Sequence, residues 1–266
     1  MTMKQQDGKS FKMDLYFNRL LGINYKSKSQ KIRVMSEEWL ENNISCPSCG
    51  YHKLTHFANN KPVADFYCEQ CGEIFELKSK SGPIGKKIND GAYKTAIERI
   101  ISNSNPSLFV LHYDNYKVIN LEIIPKYFFT PDVIEARKPL SSNARRAGWQ
   151  GCNIIFGDIP KQGRIPIIKD TKVIDEKIVV NLFNETISLK VSDITKRGWL
   201  FDILNCVNLI KEDIFKLEDI YKFEENLKLK HPQNNHIKDK IRQQLQILRD
   251  KGYIEFLGKG VYRKIK

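Results

Sequence analysis

Two carboxylates and a lysine lie close together in the sequence on either side of a cysteine pair. Asp65 precedes the pair, and Glu76-Leu77-Lys78 follows it. Side chains alternate along a strand, so Glu76 and Lys78 share one face and Leu77 takes the other. A paired strand would bring Asp65 beside Glu76. Two carboxylates and the Leu77 carbonyl form an oxygen site suited to Mg²⁺, and Lys78 could orient a water. The arrangement predicts magnesium-dependent phosphodiester cleavage.

The triplet is ambiguous when it is considered alone. Glu-x-Lys on a strand is usually a solvated face that carries an ordinary cross-strand ion pair. Two further features favour catalysis. Asp65 follows Pro62-Val63-Ala64, and the chain is strongly basic, with a formal net charge of +13. We therefore predict Asp65, Glu76 and Lys78 as catalytic residues, with magnesium held by Asp65, Glu76 and Leu77.

Four cysteines have the spacing of a structural zinc site. They form two Cys-x2-Cys pairs separated by 18 residues, and a glycine directly follows each pair. In a reducing compartment this pattern favours zinc over disulfides. His52 and His56 lie between the pairs as alternative ligands, but four thiolates already complete a tetrahedron. Cys152 and Cys206 have apolar neighbours and are expected to be buried thiols. The predicted zinc ligands are Cys46, Cys49, Cys68 and Cys71.

The distribution of charge indicates a polyanionic partner for the carboxyl end. Residues 199–227 contain three basic and seven acidic residues, whereas residues 238–266 contain nine basic and three acidic ones. A concentrated positive charge of this kind is typical of nucleic-acid binding. No apolar run is long enough to span a membrane, and the amino terminus has no secretory h-region. We expect a cytoplasmic protein without membrane association, monomeric in solution.

The spacing of hydrophobic residues predicts both helices and strands, and therefore a mixed α+β (α/β) chain, to which the cysteine pairs add a zinc knuckle. Expected helices include residues 10–43, with Ser36 as an internal N-cap, and residues 90–102; residues 177–182 are expected to form a strand. The pattern of predicted elements changes near residue 190. Three helices and a glycine-tipped hairpin then follow, which is the pattern of a winged helix. The predicted domains are 1–190 and 191–266, with the last elements at 199–210, 217–229, 234–251 and 253–264.

These motifs resemble the Pro-Asp…(Asp/Glu)-x-Lys nuclease superfamily, and more specifically the DpnI-like methyl-directed restriction endonucleases. The resemblance covers nearly the full length. It implies a restriction-endonuclease-like nuclease domain, with a central sheet, flanking helices and a four-cysteine zinc site. A winged helix that contacts methylated DNA would follow this domain. The implied activity is magnesium-dependent hydrolysis of double-stranded DNA at adenine-methylated GATC sites, giving 5′-phosphates. The runs that carry the resemblance are 61–68, 75–80, 88–93, 144–149, 197–199 and 241–251.

The last predicted helix offers side chains that could read base edges. Its apolar positions fall on one third of the helical wheel, so the opposite face is polar. Asn and Gln pair bidentately with adenine in the major groove, and residues near the helix start usually reach deepest. A merely solvated polar face is the alternative. The predicted base-contacting residues are Asn234, Asn235, His236 and Gln243, and the predicted phosphate-contacting residues are Lys238, Arg242 and Lys259.

A methyl group on adenine N6 adds apolar surface and no charge. Its recognition requires an apolar wall, worth about 1 kcal/mol for one buried methyl. Trp149 follows Gly148 and is preceded by Arg145-Arg146, so it is the candidate in the nuclease domain. A tryptophan in this position is otherwise most often a loop anchor in the core. The two arginines favour a DNA contact, and we predict all three residues as DNA-binding.

Two other functions are compatible with the same motifs. One is a zinc-containing winged-helix regulator without catalysis, against which the intact set of Asp65, Glu76 and Lys78 argues. The other is a repair nuclease of the same superfamily, which would not distinguish methylated from unmethylated duplexes.

Overall fold

The computed structural model describes residues 13–57 and 64–266. Pro62 and Val63, which precede Asp65 in the predicted motif, lie outside these residues, as do residues 10–12 of the first predicted helix. Ala64 and Asp65 themselves are described.

A seven-stranded mixed sheet forms the centre of the nuclease part. Its strand order is β1-β2-β3-β5-β6-β9-β10, and only the β3–β5 pair is parallel. β5 is buried over seven of its eight residues, as expected for a strand covered on both faces. The strands are β1 (Thr55–His56), β2 (Phe66–Tyr67), β3 (Ile74–Ser81), β5 (Ser107–Asp114), β6 (Lys117–Ile124), β9 (Ile165–Lys169) and β10 (Lys172–Val173).

The two faces of this sheet pack against different elements. On one face, Phe75 and Phe109 join the cluster formed with the helices α1 (Lys28–Asn43) and α3 (Glu176–Thr186). On the other face, Leu108 and Val110 join the cluster that contains α2 (Tyr93–Ile101) and the carboxyl-terminal helices. A three-stranded sheet lies beside α2 in the order β4-β8-β7. Its strands are β4 (Lys87–Ala92), β7 (Ile134–Ala136) and β8 (Gly151–Ile155).

The carboxyl-terminal part is a winged helix, as predicted. Its helices are followed by a hairpin whose turn contains Lys259 at a φ of +48°, between two glycines of positive φ. The hairpin forms a three-stranded sheet with one strand that the sequence reasoning missed, in the order β11-β13-β12. The elements are α4 (Ile194–Leu209), β11 (Ile214–Lys216), α5 (Leu217–Tyr221), α6 (Glu224–Lys230), α7 (Ile237–Asp250), β12 (Ile254–Gly258) and β13 (Val261–Lys264).

Several expected elements were wrong in their bounds or type. Ser36 is buried within α1 and donates a hydrogen bond to the Arg33 carbonyl at 3.2 Å, so it is not an N-cap. Residues 177–182 belong to α3, because the Asp175 side chain caps the helix and Val179 and Phe183 are buried at helical spacing. Residues 217–229 form two helices, and residues 90–92 belong to β4 rather than to α2.

The nuclease part and the winged helix share one continuous hydrophobic cluster. Phe128 stacks on Phe201 of α4 with ring centroids 4.8 Å apart. Arg197, only 1% exposed, donates to the Phe129 carbonyl at 3.1 Å and to the Asn103 side chain. The winged helix is therefore packed against the nuclease part rather than tethered to it. Among the helices described, none has both the length and the apolar character required to cross a bilayer.

Candidate active site and zinc centre

The predicted carboxylates and lysine meet on a hairpin that the second cysteine pair closes. β2 and β3 pair with Phe66 opposite Phe75, and Cys68 to Cys71 form the turn between them. The Asp65 amide donates to the Phe75 carbonyl at 2.9 Å, which continues the pairing by one residue. The Asp65 Oδ2 atom accepts a hydrogen bond from the Leu77 amide at 2.8 Å. Asp65 thus lies beside the Glu76-Leu77-Lys78 segment.

The alternation of β3 places Glu76 and Lys78 on the face opposite Phe75 and Leu77, as expected. The Lys78 Nζ atom lies 2.5 Å from Glu76 Oε1 and 2.7 Å from Asp90 Oδ1. Asp90 was not among the predicted site residues. It belongs to β4 of the smaller sheet, and its apolar neighbours suggested the start of a helix. No local spacing relates it to β3, so only the tertiary structure could reveal the contact.

Burial and neighbouring charges shift the pKa values of both Glu76 and Lys78. Burial raises the pKa of Glu76, and the charges of Asp90 and Asp65 raise it further, while Lys78 opposes this effect. Burial acts to lower the pKa of Lys78, but the carboxylates of Glu76 and Asp90 raise it above its ordinary value. Lys78 is therefore an ammonium at neutral pH. It can donate hydrogen bonds to a phosphate or a water, and it is not available to accept a proton.

The surroundings leave space for a ligand on the Glu76 and Asp90 side. A cavity of about 300 Å³ lies against both carboxylates and extends beneath α2 toward Arg99 and Asn105. Lys78 contacts two carboxylates, and Asp65 lies beside the same strand segment, so the group contains three acidic side chains and one basic one. Carboxylate oxygens in excess over cations fit Mg²⁺, which usually keeps several of its own waters and needs only one or two protein carboxylates. Asp65 and Glu76 would be those two ligands.

The four cysteines converge as a zinc site requires. Their sulfur atoms all lie within 4.8 Å of one another, with 3.7 Å between Cys46 and Cys71 and 3.6 Å between Cys49 and Cys68. A tetrahedron with Zn–S bonds of about 2.3 Å has edges of about 3.8 Å, so the donor set fits zinc. In the described part of the chain, no other group of three or more potential ligands converges this closely.

The two cysteine turns have the same construction. Gly50 and Gly72 have φ values of +75° and +71°, and their amides donate to the carbonyls of Cys46 and Cys68 at 2.8 and 2.9 Å. A glycine adopts this conformation without steric cost. His56 instead contacts Glu37, with Nε2 and Oε2 3.2 Å apart. The sulfur cluster brings the two turns together and anchors the hairpin that carries Asp65 and Glu76.

The residues predicted to recognise a methyl group lie in the connection between β7 and β8. Trp149 is half-buried, and its ring lies 4.7 Å from the Arg146 guanidinium carbon and 5.8 Å from that of Arg137. Arg145 is exposed in the same connection. The connection folds back on itself, because the amides of Leu140 and Gly148 donate to the carbonyls of Trp149 and Leu140. Trp149 is thus flanked by arginines and is not a core anchor.

The residues predicted to contact DNA in the winged helix lie just before α7, on α7 and in the hairpin turn. Asn235, His236 and Lys259 are exposed, and His236 Nδ1 lies 3.8 Å from Asp239 Oδ2. Asn234 accepts a hydrogen bond from the His236 amide at 2.7 Å, so its oxygen already orders the entry to α7. Gln243 is exposed and accepts a hydrogen bond from Lys240 at 2.7 Å.

Tyr221 of α5 contacts two of the three cations that were assigned to phosphates, Arg242 and Lys238. The Arg242 guanidinium donates to the Tyr221 hydroxyl at 2.8 Å and also contacts Asp239. The Lys238 ammonium lies 5.4 Å from the Tyr221 ring and 3.4 Å from a Glu224 carboxylate oxygen. This role of Tyr221 could not be predicted from local spacing, because α6 lies between Tyr221 and α7 in the chain.

Two family models match the chain. The DpnI model, described as the Dam-replacing family, matches residues 13–192, and the DpnI_C model, described as the Dam-replacing HTH domain, matches residues 195–264. The first match alone covers more than half of the chain, and it includes the zinc site and the Asp65, Glu76 and Lys78 cluster. The chain therefore belongs to the Dam-replacing family of nucleases and carries that family's helix-turn-helix domain at its carboxyl end.

Proposed function

We propose that this nuclease is a methyl-directed restriction endonuclease that cuts double-stranded DNA at GATC sites containing N6-methyladenine. In this proposal cleavage depends on Mg²⁺ and leaves 5′-phosphates. One observation carries the catalytic part. The Lys78 ammonium contacts the sheltered carboxylates of Glu76 and Asp90, and Asp65 lies beside the same strand segment, on a hairpin that the cysteine cluster anchors. Family membership supports the nuclease activity, and it also supports the methyl dependence.

Each catalytic side chain would have a separate task. Asp65 and Glu76, together with the Leu77 carbonyl, would hold Mg²⁺, which when bound would polarise the scissile phosphate and lower the pKa of a water. Lys78 would donate hydrogen bonds to the attacking water or to the phosphate and offset the negative charge that develops there. Because its ammonium is already fixed by carboxylates, little reorganisation would be needed during the reaction. The four cysteines would hold a structural zinc ion and keep the hairpin in register.

DNA would be bound by both parts of the chain. In the winged helix, α7 would enter the major groove with Asn234, Asn235, His236 and Gln243 near base edges. Lys238, Arg242 and Lys259 would contact phosphates. In the nuclease part, Trp149 would contact the methyl group while Arg145 and Arg146 bind the backbone. We place the division between these parts at residue 190.

Digestion of plasmids from methylating and non-methylating hosts tests the proposal directly. With Mg²⁺, the protein should cut only the methylated plasmid at GATC sites, and chelation of the metal should stop the reaction. Equal cleavage of both plasmids would instead favour a repair nuclease of the same superfamily. Binding without cleavage of either plasmid would favour a winged-helix regulator.

A further inference from the structure

The Lys78 ammonium is shared between two carboxylates that belong to different sheets. Glu76 is two residues away on the same strand, whereas Asp90 approaches from β4. The side chains of Lys78, Glu76 and Asp90 are 24, 28 and 15% exposed. The ion pairs are consequently better sheltered from solvent screening than those on an open surface. Asp90 is the most protected of the three groups.

An irregularity in β4 directs Asp90 toward the site. The pairing of β4 with β8 shifts register between Asp90 and Ala92, so that Gly91 is an extra residue on one strand. Such bulges re-aim side chains and are common next to active sites. Asp90 lies opposite the buried Cys152, whose sulfur is 3.9 Å from the second carboxylate oxygen. The neighbouring strand thus fixes the position of the Asp90 carboxylate.

In the proposed reaction, Glu76 has two competing partners. Its Oε1 atom contacts Lys78, but the same carboxylate is needed to bind the divalent cation. Asp90 is not one of the proposed metal ligands, and the cation that it contacts is Lys78. We propose that Asp90 is a positioning residue that holds Lys78 in place when the Glu76 carboxylate turns toward the metal. This inference rests on the proposed nuclease function.

Crystals of the wild-type protein, with and without Mg²⁺ and in the absence of DNA, test the geometry without relying on activity. With the cation at Asp65 and Glu76, Lys78 Nζ should remain about 3 Å from Asp90 and lose its contact with Glu76. Direct coordination of the cation by Asp90 would overturn the assignment. So would a structure in which Lys78 keeps its contact with Glu76 and loses its contact with Asp90. Failure to bind Mg²⁺ there, with no cleavage of either plasmid, would refute the proposed nuclease as well.

Single-turnover kinetics test the consequence for the reaction. Asp90→Asn removes the charge and keeps a similar shape, and we expect cleavage of methylated duplex to slow by about 10- to 100-fold. DNA affinity, measured with Ca²⁺ in place of Mg²⁺, should change by no more than about two-fold. Asp90→Glu should recover part of the rate, and thermal melting should establish that both variants are folded.

Glu135→Gln is the matched control, because Glu135 of the same small sheet pairs with Lys87 at 2.6 Å on a more exposed surface. It should cleave at the wild-type rate. A wild-type rate for Asp90→Asn would disprove the positioning role. Loss of DNA affinity with an unchanged rate would also disprove it and would assign Asp90 to binding. In either case the wild-type protein would still cut methylated plasmid, so the proposed function would survive.

Discussion

The Lys78 side chain is held in a state that suits a donor rather than a base. Its two carboxylate contacts raise its pKa, so the ammonium persists throughout the neutral range. In the proposed reaction a lysine of this kind would stabilise negative charge, and the proton of the attacking water would have to leave by another route. The residues proposed to bind the metal and the residue proposed to stabilise charge are thus distinct, although they lie on one hairpin.

Substitution of Lys78 by alanine should abolish cleavage and leave the binding of methylated DNA nearly intact. Loss of one fixed donor in such a site typically slows the reaction by about 100-fold or more. Asp65→Ala and Glu76→Ala should behave in the same way, because they remove the proposed metal ligands. Plasmid cleavage and a Ca²⁺-supported gel-shift assay measure the two properties.

Lys80→Ala provides the control for this set, because Lys80 is exposed on the same strand and two residues further along. It should retain full cleavage. Near wild-type cleavage by Lys78→Ala would refute the assignment of the catalytic centre.

At the scale of elements, the hairpin closed by the cysteine cluster connects the proposed zinc site with the proposed catalytic site. The turn at Cys68 to Cys71 sets the register of β2 and β3, and that register sets the position of Asp65 relative to Glu76. Cys68→Ser should therefore reduce zinc content, thermal stability and cleavage together. A structural zinc site is worth about 10–16 kcal/mol in small peptides, so the loss should be severe. Elemental analysis and thermal melting measure the effect.

Cys206→Ala is the matched control, since Cys206 is a buried thiol of α4 remote in sequence from both knuckles. It should retain one zinc ion per chain. Active wild-type protein without zinc would contradict the structural role of the cluster.

Within the winged helix, a buried carboxylate of α4 contacts residues at the end of α6. Asp202 of α4 lies 2.8 Å from Lys230 Nζ and 2.8 Å from His231 Nε2, and His231 stacks on Trp199. Burial acts to raise the pKa of Asp202, but hydrogen bonds from His231 and Lys230 lower it below its ordinary value. The ionised Asp202 carboxylate therefore stabilises the fold at pH values above the pKa that this group has in the unfolded chain. This contribution is lost as pH falls through the folded-state pKa.

Asp202→Asn should lower the free energy of unfolding at pH 7 by about 1–3 kcal/mol, because it removes the charge that Lys230 contacts. The difference from wild type should shrink only in strongly acidic solution, where Asp202 of the folded protein becomes protonated. Urea unfolding at several pH values measures both quantities. If the difference in free energy of unfolding between wild type and Asp202→Asn stayed constant into strongly acidic solution, the ionic explanation would be wrong.

Local patterns were sufficient to predict those elements whose residues are neighbours in the chain. The alternation of Glu76 and Lys78 and each Cys-x2-Cys turn follow from spacing over a few residues, and the winged helix follows from the order of successive local patterns. Asp90 could not be predicted, because it reaches Lys78 from another sheet through a strand bulge. Residues 177–182 were misassigned since β-branched side chains favour a strand locally, whereas burial of Val179 and Phe183 decides for the helix.

At the scale of the whole molecule, both parts of the chain are expected to act as one body. The hydrophobic cluster runs from the central sheet through α2 into α4 and α7. A winged helix held in this way presents α7 and the hairpin in a fixed relation to the catalytic hairpin. DNA binding by the positively charged carboxyl end would then also orient the nuclease part, and affinity should fall steeply with salt.

Arg197 offers the sharpest test of this coupling. Its guanidinium donates to the carbonyls of Val191 and Phe129 at 2.7 and 3.1 Å and to the Asn103 side chain, which leaves these acceptors without a partner in Arg197→Ala. An unsatisfied buried acceptor costs about 1–3 kcal/mol, and each kcal/mol corresponds to about 2–4 °C in a chain of this size. Calorimetry should show one unfolding transition for the wild type and a melting temperature several degrees lower for Arg197→Ala.

Arg263→Ala, which removes an exposed arginine paired with Glu255 at 3.0 Å, should melt within about 2 °C of wild type. Two independent transitions in the wild type, with only one of them sensitive to Arg197, would show that the winged helix is an autonomous unit.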